Sequence, residues 1–481
     1  MQQQPSNLQQ SNIFIGAFLV LLLLLIVAIG ILFSDPWMFM KFPLEDESAA
    51  LLALSIVFML IALIPFALSR KNGKFDWFEV ICIISGAYLL TFALRGIYVV
   101  FVPAQIGLRY YADTLVQAQF LSLGGFVCLL VGYYVPLTRY LARRVPVPRW
   151  RWSLSPGFGK VILLFLIGLG ARIALTFESI PSAFQYYLVW LNQLMGLAIG
   201  IAILYVFVAS KHRRRWMILV LVLLPIHSLF AFIGTGNKIT LLEPIFLMVI
   251  SYHYFKRPIS VYVVLILGLV LSLTIFPFIA RYRIQRVQLD PLERVTATLI
   301  ELGSGRFEYS SLAIASVMNR SHLVDSVALI IRYTPEQDLV AGVQTYLLIP
   351  AYAFVPRALW PDKPLDSAIA FGHEYLGLSG NTSIGISNPG DLYKNLGVGG
   401  VLVGMFALGV FYRVIYEILI AGRRSWTFDT RLPLYYIYFF VLQQLYIATE
   451  SPVSLGLSEL LKQLLLLLLV AFFMRAPLNR P

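Results

Sequence analysis

The chain has 481 residues, of which 59% are hydrophobic and 13% are charged, and its mean hydropathy is +0.80. Charged residues make up roughly 25% of soluble proteins, so this composition excludes an ordinary soluble protein and indicates a polytopic membrane protein. The formal net charge of +13 would suggest nucleic acid as a partner of a soluble protein. Here the positions of the charges point to the lipid bilayer, and no nucleic-acid partner is expected.

Apolar runs of the length that crosses a bilayer recur along the chain. A hydrocarbon core of about 30 Å requires roughly 17–25 helical residues, and about twelve runs meet that length. They predict an all-α protein with spans at 13–33, 49–69, 77–99, 116–137, 157–176, 185–209, 217–233, 239–254, 259–280, 397–420, 432–450 and 458–474.

Lys and Arg are distributed unevenly between the connections of these spans. If the N-terminus is cytoplasmic, the short outer connections carry only Lys41, Arg109 and Lys238, whereas basic clusters such as 139–151 and 211–215 fall inside. Cytoplasmic connections are enriched in Lys and Arg. This rule places both termini in the cytoplasm and leaves one long segment outside.

The chain therefore divides into three predicted parts. Spans 1–9 occupy 1–280, the large extracytoplasmic segment is 281–396, and spans 10–12 occupy 397–481. Within the outer segment, 339–355 is apolar but contains Pro350, and counting it as a span would reverse the charge bias that follows. We interpret 339–355 as a re-entrant or interfacial segment, which is tolerated where it is buried in protein or lines a cavity.

Basic side chains are concentrated at the predicted outer face. The candidate ligands for a diphosphate are Arg95, Arg172, Lys238, Arg281, Arg283, Arg286, Arg357 and Lys363. A charge within a span costs at least about 2.5–3.5 kcal/mol and usually marks function, and Arg matches phosphate oxygens bidentately. The alternative is that Arg95 and Arg172 extend to the headgroups and that 281–286 is a solvated cluster. Arg281 and Arg283 would share a face in an extended chain but would point about 200° apart in a helix, so we expect one or two of that cluster to be direct ligands.

Three residues of the outer segment are candidate bases. His373 and Glu374 follow Asp366, a plausible helix N-cap, and Asp391 lies in the turn NPGD. The unperturbed pKa of histidine, near 6.5, suits proton removal at neutral pH, although a structural hydrogen bond would also explain His373. The five histidines lack metal-ligand spacing and no phosphate-binding glycine loop is present, so neither a metal nor another cofactor is expected.

Other polar residues within spans are expected to be structural. Arg413 and Glu417 lie four residues apart and should pair. Glu79 and Lys462 are near span ends and are expected to reach the interface. Tyr352 and Trp360 stand near the outer cations and suit either a sugar ring or ordinary loop packing.

Two motifs resemble those of a known family. The stretch VPRALWPDKP at 355–364, the glycine-rich loop that follows it, and DLYKNLGVGGVLVGMFALG from Asp391 resemble bacterial O-antigen and exopolysaccharide polymerases of the Wzy type. GTGNKITLL, which begins at Gly234, is similar to the turn that opens a span in these polymerases and in the related O-antigen ligases. In this chain the turn carries Lys238 where the family more often has Arg.

The resemblance implies a GT-C-like, metal-independent membrane glycosyltransferase in the bacterial cytoplasmic membrane. A glycan on undecaprenyl diphosphate would be the donor, a lipid-linked repeat unit the acceptor, and a chain-length regulator protein a candidate partner. Lys238, Arg281, Arg283 and Arg357 would bind the diphosphate. An O-antigen ligase with the same donor is the first alternative. A membrane transporter is the second, although it predicts short outer connections, and a non-enzymatic assembly scaffold is the third.

Overall fold

The computed structural model describes residues 47–101, 112–153, 157–260, 322–334, 338–377 and 385–476, with short gaps, and scattered residues between 262 and 301. Most residues in these ranges are helical. Regular strands within them are limited to one antiparallel pair, β1 (Arg70–Lys71) and β2 (Lys74–Phe75), with Arg70 opposite Phe75.

The helices before the outer segment follow one another closely. They are α1 (Glu47–Leu68), α2 (Val80–Tyr88), a π-helical turn (Leu89–Leu94), α3 (Arg95–Phe101), α4 (Ala112–Tyr134), α5 (Leu137–Arg144), α6 (Phe158–Ala174), α7 (Ser182–Asn192), α8 (Leu194–Val208), α9 (Arg213–Thr235) and α10 (Lys238–Phe255).

The helices of the outer segment are shorter than those of the C-terminal part. They are α11 (Leu323–Tyr333), α12 (Leu339–Leu347), α13 (Ile349–Phe354) and α14 (Ser367–Leu376), followed by α15 (Ser387–Leu419), a 3₁₀ turn (Ala421–Arg423), α16 (Phe428–Glu450) and α17 (Val453–Phe473).

Six helical stretches among the described residues are long and apolar enough to cross a membrane. They are Glu47–Leu68, Val80–Phe101, Thr114–Tyr134, Phe184–Val208, Ser387–Leu419 and Val453–Phe473. Helices also cover the other predicted spans within the described ranges, whereas 13–33 and most of 259–280 lie outside them. Helices predominate because a bilayer offers no hydrogen-bond partner to the backbone, so each spanning segment must satisfy its own backbone groups.

The longest helix, α15, begins earlier than expected from hydropathy. The predicted boundary at 396/397 falls inside it, at a kink where Gly397 has a φ of 66° and a ψ of −162°. A left-handed φ favours glycine, which has no Cβ. Just before the kink α12 approaches the backbone of α15, because a Cβ added at Gly342 would lie 2.0 Å from the Asn395 carbonyl oxygen. The kink thus separates a polar first part of α15 from its apolar remainder.

Helices α4 and α15 form a close contact through glycines. A Cβ added at Gly409 would lie 2.0 Å from the Leu129 carbonyl oxygen, and one added at Gly132 would lie 2.1 Å from that of Phe406. Small residues let helices approach closely in membranes, where van der Waals packing replaces the hydrophobic effect between them. This contact places the C-terminal half of α15 against α4.

At the predicted inner end a buried ionic network surrounds Arg413, and we refer to it as the Arg413 network. The Arg413 guanidinium donates to Glu79 Oε1 at 2.9 Å and to Glu417 Oε1 at 2.6 Å, while the Tyr133 hydroxyl donates to Glu79 at 2.8 Å. The predicted pairing of Arg413 with Glu417 is therefore confirmed. The expectation that Glu79 reaches the interface is wrong, because Glu79 is only 6% exposed and is held by α4 and α15.

Asp76 extends this network to α10. Its carboxylate accepts hydrogen bonds from the hydroxyls of Tyr254 at 3.0 Å and Tyr416 at 2.9 Å, and His253 Nε2 lies 3.7 Å from it. Hydrogen bonds from several helices to one carboxylate offset the cost of removing the charge from water. The network therefore holds this end of the bundle together.

Candidate functional site

The apolar run 339–355 forms two short helices rather than one. α12 begins after Asp338, whose Oδ1 accepts hydrogen bonds from the backbone N–H groups of Val340 at 2.9 Å and Ala341 at 3.1 Å. Pro350 stands in the first turn of α13, where its missing N–H interrupts continuation from α12. Neither helix is long enough to cross a bilayer, as the re-entrant or interfacial interpretation requires.

Lys363 binds the end of α13. Its ammonium donates to the carbonyl oxygens of Tyr352 at 2.8 Å and Val355 at 2.9 Å. The last carbonyls of a helix lack intrahelical partners and carry the negative end of the helix dipole. Lys363 therefore closes the loop of the VPRALWPDKP motif onto α13.

Arg357 stabilises the same loop from its other side. Its guanidinium donates to the carbonyl oxygen of Lys363 and to that of Pro364, the latter at 2.8 Å. The rings of Tyr352 and Trp360 stack with centroids 5.7 Å apart and an interplanar angle of 13°. This short loop thus brings two cations and two aromatic rings close together.

A third cation approaches from α17. Lys462 forms an ion pair with Glu459, and its ammonium lies 5.6 Å from the ring centroid of Tyr186 on α7. The Tyr186 hydroxyl donates to the carbonyl oxygen of Ala353, and Trp190 Nε1 donates to that of Lys462 at 3.2 Å. The polar face of α17 is thereby joined to α13 through α7.

We call this group the cation–aromatic cluster; its members are Arg357, Lys363, Lys462, Glu459, Tyr186, Tyr352 and Trp360. Burial lowers the pKa of Lys363, repulsion by Lys462 and Arg357 lowers it further, and Glu459 partly opposes the change. Positive charge therefore exceeds negative charge here, even when the exposed Asp362 is counted. Such an excess favours an anionic ligand, which would relieve the repulsion.

The other predicted diphosphate ligands are not brought into this cluster by the described contacts. Arg172 Nη2 donates to the Phe230 carbonyl oxygen at 3.1 Å. Lys238 is the first residue of α10, but its side chain lies outside the described residues, as do Arg281, Arg283 and Arg286.

Arg95 forms a buried ion pair with α11 of the outer segment. Its Nε and Nη2 donate to Asp325 Oδ2 at 2.9 and 2.5 Å, and both residues are 4% exposed. Burial raises the pKa of Asp325, an effect that Arg95 partly offsets. Because Arg95 is engaged by a carboxylate, this geometry favours its role as an anchor of α11 over direct contact with a diphosphate. Arg95 directly follows the π-helical turn, a feature often found at functional sites.

Two of the candidate bases lie on α14. His373 is half-buried, and Glu374 lies beside it in the helix with its side chain outside the described residues. Lys394 of α15 has its ammonium 5.9 Å from the ring centroid of Phe371, on the same helix. Both candidates therefore stand on a helix of the outer segment next to α15.

Asp391 is buried and fully engaged. Its Oδ1 accepts from Asn395 at 3.0 Å, and its Oδ2 accepts from the Tyr346 hydroxyl at 3.2 Å and from the Val453 N–H at 2.9 Å. Val453 is the first residue of α17, so the carboxylate caps that helix while tying it to α12 and α15. This geometry favours a positioning role for Asp391 rather than that of the base.

The sequence interpretation missed Lys462, Glu459 and Tyr186 as parts of a site. Lys462 was expected only to reach the interface; the structure places it half-buried against Tyr186. A signal was present, because a Lys within a span usually faces a polar interior and marks function.

The long apolar helices and the polar contacts between them define a helical membrane protein. The chain belongs to a family described as a domain of unknown function, DUF8712, whose model matches residues 109–419. No curated protein and no solved structure matches the chain. The matched part runs from just before α4 to the end of α15 and thus contains α12–α14, whereas Lys462 lies beyond it.

Proposed function

We propose that this protein is a membrane glycosyltransferase that polymerises oligosaccharide repeat units, a polymerase of the Wzy type. It would have about twelve spans in a GT-C-like arrangement and lie in the bacterial cytoplasmic membrane with both termini inside. The donor would be a growing glycan on undecaprenyl diphosphate, and the acceptor a single lipid-linked repeat unit. The product would be O-antigen or exopolysaccharide.

The observation that carries this proposal is the cation–aromatic cluster at the predicted outer end. Glycosyl transfer from a lipid diphosphate breaks the bond between the anomeric carbon and a phosphate oxygen, and the diphosphate leaves with the bonding electrons. Preorganised cations in a water-poor site stabilise such developing charge better than bulk water does. Arg357, Lys363 and Lys462 supply that charge, and the stacked Tyr352 and Trp360 offer flat faces for sugar rings.

The remaining roles follow from what each group can still do. A hydroxyl of the acceptor sugar would attack the anomeric carbon and lose its proton to a base. His373 is the first candidate for that base and Glu374 the second, since Asp391 is occupied by three hydrogen bonds. Arg281, Arg283, Arg286 and Lys238 would complete the diphosphate site from segments outside the described contacts.

The proposal is tested by the lipid-linked glycans of a strain that lacks this protein. Loss of a polymerase should leave single repeat units on the lipid and no longer chains. Loss of an O-antigen ligase would instead leave long chains on the lipid, and loss of a transporter would keep the substrates inside. Unchanged length and abundance of all lipid-linked glycans would contradict both enzymatic functions.

Complementation with variants then tests the cluster itself. Lys462→Gln removes a cation of the cluster, and Arg332→Gln, on α11 of the outer segment, removes an exposed cation outside the cluster as a control. We expect shorter or scarcer polymer with the first variant and normal polymer with the second, at equal protein levels. Normal polymer with both variants would remove Lys462 from the site.

A further inference from the structure

An apolar cavity of about 720 Å³ lies between the last three long helices and is separate from the cation–aromatic cluster in its lining. Walls are contributed by Phe411 and Ile415 of α15, by Ile437 and Val441 of α16, and by Leu461 and Leu464 of α17, among other apolar side chains. The extended segment Val145–Trp150 forms a further wall, and Ile349 of α13 contributes from the outer segment. All of its lining residues are apolar, so the cavity suits a hydrocarbon chain rather than a sugar or a nucleotide.

The cavity is long enough for much of an acyl chain. Its lining on α17 runs from Leu457 to Leu468, which at 1.5 Å per residue is about 16 Å. In the predicted span 458–474 this lining begins at the outer end and passes the middle of a core of about 30 Å, so a chain that enters from the inner end would reach across the midplane. An acyl chain that enters beside Val145–Trp150 could therefore lie along α17.

The lining segment Val145–Trp150 carries several basic residues within it and next to it. Arg144 directly precedes the lining residue Val145, and Arg149 stands between the lining residues Pro148 and Trp150. Both arginines are exposed, and Arg149 has its guanidinium carbon 5.2 Å from the ring centroid of Trp426. Arg143 adds another exposed cation, whereas Arg151 lies 3.8 Å from Asp429.

We propose that this cavity binds one anionic glycerophospholipid from the leaflet on the Val145–Trp150 side. One acyl chain fills the apolar cavity, and Arg144 and Arg149 bind the phosphate. Basic pockets between membrane helices recognise anionic headgroups in this way, and Arg matches phosphate oxygens bidentately. The bound lipid holds the Val145–Trp150 segment against α15, α16 and α17. This site is independent of the proposed polymerase activity.

Lipid retention by the purified full chain tests the site. The protein is reconstituted in nanodiscs with phosphatidylcholine and phosphatidylglycerol, extracted, and analysed by native mass spectrometry. We expect phosphatidylglycerol to be retained, and the double variant Arg144→Gln, Arg149→Gln to retain roughly 25-fold less, since each arginine near a membrane contributes about fivefold. The matched control Arg213→Gln, Arg214→Gln removes two exposed arginines at the start of α9 and should change nothing.

A second pair of variants tests the chain rather than the headgroup. Leu461→Trp fills the cavity from α17 and should reduce retention several-fold. Leu469→Trp, on the same helix at a position 55% exposed and outside the lining, should not. Phosphatidylglycerol brominated in its acyl chain should quench the tryptophan fluorescence of the wild type. Trp150→Phe should remove part of that quenching. This measurement does not use the arginine or leucine variants, so it does not depend on whether they fold.

Three results would overturn the proposal. Equal retention of phosphatidylcholine and phosphatidylglycerol would show that the arginines do not select an anionic headgroup. Equal losses in the two arginine double variants would show that the effect is general surface charge. Retention of a polyprenyl diphosphate carried through purification, in place of phospholipid, would assign the cavity to the chain of a lipid-linked glycan.

Discussion

The two ends of the bundle use charged side chains in opposite ways. In the Arg413 network the guanidinium contacts two carboxylates, and the Asp76 carboxylate accepts from two tyrosines. In the cation–aromatic cluster, Arg357 and Lys363 bind backbone carbonyl oxygens, and only Lys462 forms an ion pair, with Glu459. Buried carboxylates that are held by an arginine and by tyrosine hydroxyls stabilise the fold and have little to offer a ligand, whereas excess positive charge at a partly exposed site attracts an anion. The comparison predicts that changes at the inner end affect protein stability and changes at the outer end affect activity.

The largest effect is expected from the arginines that leave the ninth predicted span. Arg281→Ala or Arg283→Ala should abolish polymer without loss of protein from the membrane, because a direct diphosphate ligand would be missing from the transition state. Polymer length and membrane protein are measured in the same complemented deletion strain. Full-length polymer from both single variants would remove the diphosphate assignment of this cluster.

The opposite result is expected at the inner end. Arg413→Leu leaves Glu79 and Glu417 buried without their cation, and breaking a buried ion pair in this way costs about 3–5 kcal/mol. We expect loss of protein from the membrane and a lower midpoint of thermal unfolding in detergent. The control is Arg139→Leu, whose side chain is 56% exposed and 3.6 Å from the same Glu417; it should cost less than about 1 kcal/mol. Equal stability of the two variants would contradict a stabilising role for the Arg413 network.

A smaller effect is expected from the cations of the cluster. Lys363→Gln with Lys462→Gln should reduce polymer formation by roughly tenfold to a hundredfold, less than the loss of a fully buried donor of an oxyanion hole. Lys363→Arg keeps both the charge and the donors to the end of α13 and should retain most activity. The rate of chain extension in membranes measures the difference. A double variant that extends chains at the wild-type rate would show that the cluster only organises its loop.

The smallest effect concerns pH. Because burial and neighbouring cations lower the pKa of Lys363 below its usual 10.5, its ammonium loses a proton at a lower pH than an exposed lysine does. An anion bound there favours the charged form, so affinity for inorganic diphosphate should fall as pH rises through the lowered pKa. Calorimetry on the wild type and on Lys363→Arg, which stays charged, measures this. Identical pH profiles for the two proteins would exclude Lys363 as a ligand.

The positions of most helices along the chain can be predicted from hydropathy. Which charged residues pair with each other cannot be predicted in this way. The sequence places Arg413 one helical turn from Glu417, so that contact could be predicted from spacing. Glu79 was expected at the interface because it lies near a span end, and it is buried because Arg413, 334 residues away in the chain, faces it. The same limit applies to Arg95 and Asp325, which are 230 residues apart.

The candidate site was also predictable only in part. Arg357 and Lys363 were singled out as cations of the outer segment, but their bonds to the carbonyls of one loop could not be read from their spacing. Lys462 and Tyr186 belong to the cluster only because α17 and α7 pack near α13 in the folded protein. Asp391 was expected to be a candidate base in the turn NPGD, whereas its carboxylate accepts hydrogen bonds from Asn395 of the same helix, from Tyr346 and from Val453.

The sequence by itself determined that this is a helical membrane protein and where its described long helices lie. It also indicated that the apolar run 339–355 would not form one continuous span. These properties depend on local sums of hydropathy and on proline, which act over one helix at a time. The tertiary structure alone decided which charges neutralise each other and which remain in excess. That depends on which helices are neighbours, because an ionic contact needs its partner within a few ångströms regardless of separation along the chain.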